Sequence, residues 1–96
     1  MTVARQRIDV WLFRARLSKT RAAAARLVSE GGVRVVRDGA SRALDKASAE
    51  IGVGDAVVLP VRGQVRTVRV EGLGERRGPA VEARLLYSEL DADQFA

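Results

Sequence analysis

Residues 7–36, RIDVWLFRARLSKTRAAAARLVSEGGVRVV, carry most of the helical patterning and most of the positive charge of this 96-residue chain. Ile8, Trp11, Leu12 and Ala15 fall at i, i+3, i+4 and i+7, which puts them on one face of a helix, while Arg7, Arg14 and Arg16 lie off that stripe. Ala23, Ala24, Leu27 and Val28 repeat the spacing, with Ser18 placed as the N-cap and Gly31-Gly32 supplying the left-handed residue that stops a helix. The stretch therefore reads as two short helices packed at an angle, followed by a strand over 33–36. In that strand Val33 and Val35 point one way and Arg34 the other. The linker Ser18-Lys19-Thr20-Arg21 falls at the start of the second helix. Unpaired N–H groups and the positive end of the dipole favour an anion such as a phosphate there.

Working outward, residues 1–6 read as a loose arm, with Arg5 near enough to the first helix to touch a phosphate. Downstream, Asp38-Gly39 is a favoured turn dipeptide for positive φ, and 40–45 reads as a small insertion. A short strand is expected over 49–51 and a turn over 52–55. The apolar run 56–61 and the β-branched run 65–70 then form an antiparallel hairpin, with Val68 and Val70 turned inward and Pro60 at an edge or strand end. Gly78-Pro79 reads as a helix start with proline at the first helical position. Val81, Leu85 and Leu86 are expected to dock that helix on the sheet. Beyond Tyr87 the acidic tail, with Glu89, Asp91 and Asp93, is expected to fray.

The fold class that follows is α+β. Two short N-terminal helices pack on a small, mainly antiparallel sheet, with a short C-terminal helix. One domain is expected over 1–96, its core motif at about 7–59 and the C-terminal hairpin and helix at about 60–90.

The net charge of +5 is unevenly distributed. Residues 1–42 hold ten Lys/Arg against three acids, whereas 43–96 hold seven against nine. A basic half is the electrostatic footprint of a nucleic-acid binder, because neutralised phosphates release counterions. By the same count Arg69 and Arg84, in the acidic half, are expected to matter little. The chain has neither Cys nor His, so disulfides, thiol nucleophiles and the usual metal and cofactor ligand sets are excluded, and no cofactor is expected. The acids are scattered, and nothing resembles a catalytic constellation. No apolar run is long enough for a membrane span and the N-terminus lacks a signal-peptide core, which predicts a cytoplasmic protein with no membrane partner.

Three elements in order, Arg7-Ile8-Asp9-Val10-Trp11-Leu12, Ser18-Lys19-Thr20 and Leu27-Val28-Ser29-Glu30-Gly31-Gly32-Val33-Arg34-Val35, resemble the RNA-binding domain named after the fourth protein of the small ribosomal subunit, the S-four or αL type. Lys46-Ala47-Ser48 and Gly54-Asp55 look like loop elements of that family, and Arg76-Arg77-Gly78-Pro79-Ala80 with Leu86-Tyr87 is similar to the ending of a ribosome-associated heat-shock subfamily. The resemblance runs from about Arg7 to about Glu89. It implies a non-enzymatic protein that binds ribosomal RNA, with tRNA alongside, on free large subunits carrying peptidyl-tRNA, in recycling or rescue. Longer members are expected to carry a basic C-terminal extension beyond the stretch covered here. The expected RNA-binding residues are Arg5, Arg7, Arg14, Arg16, Lys19, Thr20, Arg21, Arg34 and Arg37, in a chain expected to act as a monomer. Two other readings stand beside it: a detached accessory domain of an RNA-modifying enzyme such as a pseudouridine synthase, and a helix-turn-helix-like pair with weak single-stranded or duplex DNA binding.

A solvated helix face accounts equally well for Arg14 and Arg26. Asp9 reads chiefly as structural, Asp55 as a turn cap and Trp11 as core. Phe13 either packs against the sheet or the C-terminal helix, or stacks on an unpaired base.

Overall fold

The computed structural model describes residues 4–90, so expectations for 1–3 and for the tail 91–96 fall outside the described residues. In chain order the elements are β1 (Gln6–Arg7), α1 (Ile8–Arg14), α2 (Arg21–Ser29), β2 (Arg34–Arg37), β3 (Ala40–Ala43), β4 (Glu50–Ile51), β5 (Ala56–Val61), β6 (Gln64–Val70), α3 (Ala80–Ala83), a 3₁₀ turn (Arg84–Leu86) and β7 (Tyr87–Glu89). A five-stranded antiparallel sheet runs in the order β3-β2-β5-β6-β7, and β1 pairs separately with β4. The fold is α+β.

Both N-terminal helices end the same way. At α2, Gly31 takes φ +82°, and the Gly32 and Gly31 N–H groups donate to the Leu27 and Val28 carbonyls at 3.0 Å each. At α1, Arg16 occupies the equivalent left-handed position at φ +59°, with Leu17 N–H on Leu12 O at 2.9 Å and Arg16 N–H on Phe13 O at 3.1 Å. These paired bonds satisfy carbonyls that a helix end otherwise leaves open. The ending of α1 extends through Ser18, whose N–H also donates to Leu12 O. That corrects the expected cap: Thr20, not Ser18, is the N-cap of α2, its Oγ1 accepting from Ala23 N–H at 2.9 Å.

The core lies between the two helices and one face of the sheet. Ile8, Trp11, Leu12 and Ala15 are buried as their spacing predicts, and Ala24 and Val28 join them from α2. From the sheet come Val35, Val57 and Val68, which sit in register across β2, β5 and β6. Full burial of an aliphatic side chain of this kind is worth about 1.5–3 kcal/mol. Trp11 is completely buried, and its indole N–H donates to Gly72 O at 2.9 Å.

Further expectations change. The tail, expected to fray beyond Tyr87, is still paired through Glu89, where β7 lies against β6. Gln6 and Arg7, read as the end of a loose arm and the start of a helix, form β1 and pair with Ile51 and Glu50. Residues 40–43, read as an insertion, are β3, joined to β2 by the Asp38-Gly39 turn with φ of +52° and +79°. Its side chains are all exposed, so no apolar alternation announces it. Pro79 is the N-cap of α3 rather than its first residue. Val81 and Leu85 are 74% and 73% exposed, and α3 docks through Ala83 while the 3₁₀ turn docks through Leu86.

The connection over 71–79 is held against α1 by side chains. Trp11 reaches Gly72 O, Gln6 and Arg14 both reach Gly74 O, Arg16 reaches Gly78 O at 2.7 Å, and Arg77 returns a bond to Phe13 O at 3.2 Å.

Candidate nucleic-acid interface

Helix α2 starts with a cap but no acid: its first turn holds no Asp or Glu, and Lys19, Thr20 and Arg21 are all exposed. Thr20 satisfies the Ala23 N–H, which leaves the Arg21 and Ala22 N–H groups as the remaining donors of the first turn. This end of the helix opens onto a groove of about 680 Å³. Its lining carries six cations, Arg16, Lys19, Arg62, Arg66, Arg77 and Arg84, and no carboxylate. Leu17, Ala23 and Pro60 add apolar wall, and Tyr87 is also in the lining.

Two other hollows have mixed charge. One of about 650 Å³ is lined by Arg5, Arg37 and Arg42 together with Asp38 and Glu50. One of about 320 Å³ places Arg14 and Arg76 with Glu75 and Glu82. The residues expected to bind RNA are therefore divided: Arg16 and Lys19 share the acid-free groove with Thr20 and Arg21 beside them, Arg5 and Arg37 share the second hollow, and Arg14 lies in the third.

Several of these cations have internal partners. Arg7 is doubly bonded to Asp9, Nε to Oδ1 at 3.1 Å and Nη2 to Oδ2 at 3.0 Å, while Asp9 also accepts from Val10 N–H at 2.8 Å. Asp9 thus orients an arginine and caps backbone at once. Arg14 donates to Gly74 O, and Arg34 to Ser41 Oγ at 3.1 Å. Arg37 is paired with Asp55, which also accepts from Gly52 N–H at 2.9 Å, the turn-capping role expected of it. Among the described residues, Lys19, Arg21, Arg62 and Arg84 have no ion-pair partner within 4.0 Å.

Sequence reasoning missed Arg62, Arg66 and Arg84, and it left Arg77 between extending the basic surface and pairing with Glu75 or Glu82. Their acidic neighbours in sequence balance them on paper, but Glu82 pairs with Arg76, and Glu89, the partner of Arg66, is not part of the groove lining. The Arg62-Gly63 pair was the available signal. It is a two-residue turn with φ of +51° and +81°, and an arginine stands where Asn, Asp or Gly is favoured. A left-handed non-glycine residue costs roughly 1–2 kcal/mol, and both arginines in that conformation, Arg16 and Arg62, line this one groove. Phe13 is half-buried beneath the Arg77 guanidinium, 4.9 Å from the ring centroid, so a residue of the C-terminal segment covers it.

Comparisons with known proteins identify the family. Residues 6–35, from β1 to the middle of β2, match the model of the S4 domain, and the class is that of S4-domain proteins. Over 83 residues the chain is 40% identical to heat shock protein 15 of Escherichia coli, covering 86% of this chain and 59% of that protein. It is 31% identical over 86 residues to the heat shock protein 15 homolog of Haemophilus influenzae, covering 90% and 62%. A trimeric structure of Vibrio cholerae heat shock protein 15 superposes with a TM-score of 0.77 at 31% identity, covering 91% of this chain and 83% of that one. The chain belongs to the S4-domain family of heat shock protein 15. It spans about three-fifths of the length of the curated relatives.

Proposed function

We propose that this chain is a non-enzymatic, cytoplasmic protein that binds ribosomal RNA, with tRNA alongside it, on the large ribosomal subunit. In this reading it acts in the recycling or rescue of free large subunits that still carry peptidyl-tRNA. It works as a single domain and a monomer. Lys19, Thr20 and Arg21 form the centre of the contact, with Arg16 beside them and Arg5, Arg7, Arg14, Arg34 and Arg37 around it.

The observation that carries this reading is the acid-free cationic groove at the start of α2. Cations without internal partners release counterions when they meet phosphates, and that release supplies much of the affinity for a nucleic acid. Phosphate contacts fix position without reading bases. Such a surface suits a folded RNA recognised by shape and backbone. The heat-shock relatives support a task in the response to heat stress.

The test is sedimentation through sucrose gradients with purified ribosomal particles. The protein should travel with large subunits more than with small subunits or intact ribosomes. Equal distribution among the three would remove the large-subunit assignment.

A further inference from the structure

The groove does not stop at α2. Its far wall is built by the β5–β6 turn, which supplies Arg62, and by the 3₁₀ turn, which supplies Arg84. We propose that Arg62 and Arg84 hold the backbone of a single-stranded RNA segment that runs from the start of α2 across this groove. The assignment rests on the RNA-binding reading above and extends it to a second wall.

Three observations lead there. Arg62 and Arg84 are exposed, have no ion-pair partner among the described residues, and line a concavity with four other cations and no carboxylate. Like charges brought together from the α1–α2 linker, a hairpin turn and the C-terminal segment repel one another, so an external polyanion is their natural counterpart. The second observation is conformational: Arg16 and Arg62, on opposite walls, both stand in the left-handed region. Glycine would fill either position without strain; Arg16 closes α1 and donates to Gly78 O, whereas Arg62 is exposed with no ion-pair partner among the described residues. The third is shape and lining. Cations from three chain segments line one groove, the arrangement that tracks the backbone of a single strand, while Tyr87 in the lining is covered by Arg66 at 5.9 Å from its centroid, as Phe13 is by Arg77.

The test compares a labelled single-stranded RNA with a blunt hairpin duplex of equal length, by fluorescence anisotropy over a salt series. Arg62→Gln with Arg84→Gln should weaken single-strand binding by about tenfold and lower the slope of log affinity against log salt by about 1.4, with a smaller loss on the duplex. Arg62→Lys with Arg84→Lys should bind within about twofold of the parent, since a phosphate needs the charge. That lysine pair also separates lost contacts from lost folding. Unchanged single-strand affinity, an equal loss on the duplex, or failure of the lysine pair to restore binding would each overturn the assignment. If Lys19→Ala with Arg21→Ala weakens binding while the Arg62/Arg84 glutamine pair does not, this extension falls and the RNA-binding reading stands. If the unmutated chain binds neither RNA, the reading itself falls.

Discussion

Arg37 and Asp55 face each other through two parallel hydrogen bonds, Nε to Oδ1 at 2.9 Å and Nη2 to Oδ2 at 2.7 Å. The arginine ends β2, the aspartate closes the turn before β5, and a third bond from Arg37 reaches Glu50 O in β4 at 3.2 Å. One guanidinium thus ties the sheet to the small β1–β4 pairing.

Burial pushes the Asp55 carboxyl up, but hydrogen bonds from Arg37 and Gly52 and the charges of Arg37 and Arg5 outweigh it and hold the group below the usual carboxylate range. An unfolded aspartate titrates near about 3.9, so as pH falls the unfolded chain takes up this proton first. The stabilisation is present above that value and disappears as pH drops through the folded one. Asp55→Asn should lower stability at pH 7 by about 1–2 kcal/mol and remove part of the decline below about pH 4. Denaturant titrations between pH 7 and pH 2.5 measure both effects, and an acid limb unchanged in the variant would contradict the assignment.

The second prediction isolates backbone conformation. A Cβ added at Gly31 meets no atom within 4 Å, yet φ is +82°. Gly31→Ala should therefore destabilise through the left-handed residue alone, by about 1 kcal/mol, lowering Tm by roughly 4–8 °C in a domain of this size. A melting temperature equal to that of the parent would show that the ending of α2 relaxes into another form.

The third concerns the start of α2. Lys19→Ala with Arg21→Ala should weaken binding across RNA sequences alike, because lost phosphate contacts carry no base preference. The salt slope should fall by about 1.4–1.8, with the circular dichroism spectrum unchanged. Arg69→Ala is the control, since Arg69 is exposed on β6 opposite Ser88 and is absent from the groove lining. A loss at Arg69 as large as at the pair would move the binding face elsewhere. Arg84, which a charge count by halves puts in the same class as Arg69, is unsuitable because it lines the groove.

What could be read from sequence follows from the range of the interactions involved. The Ile8/Trp11/Leu12/Ala15 stripe and the inward pair Val68 and Val70 were legible because helix and strand periods are local. Strand β3 was not, since an edge exposed on both faces has no alternation to show, and only Asp38-Gly39 hinted at it. Val81 and Leu85 misled for a specific reason. Their i, i+4 spacing marks one face of a continuous α-helix, but α3 is a single turn over Ala80–Ala83 with Ala83 as its buried residue, and it tightens into a 3₁₀ turn before Leu85, so that of Val81, Leu85 and Leu86 only Leu86 docks as expected. The Lys19-Thr20-Arg21 end of the groove was legible from its place before a helix. Its other wall was not, because Arg62 and Arg84 meet Lys19 only through the tertiary fold.

The bonds that sew residues 72–78 to α1 have a consequence for where this protein can be divided. Residues 6–35 suffice for recognition of the family, but the acceptors for Trp11, Gln6, Arg14 and Arg16 all belong to carbonyls near the other end of the chain. A fragment ending after Val70 would keep the whole matching stretch and strand the buried Trp11 N–H, at about 1–3 kcal/mol out of the 5–15 kcal/mol typical of a domain. The matching stretch is therefore shorter than the stretch needed to satisfy its own side chains, and a graft of the motif into another protein would have to bring along a substitute for the carbonyls of Gly72, Gly74 and Gly78.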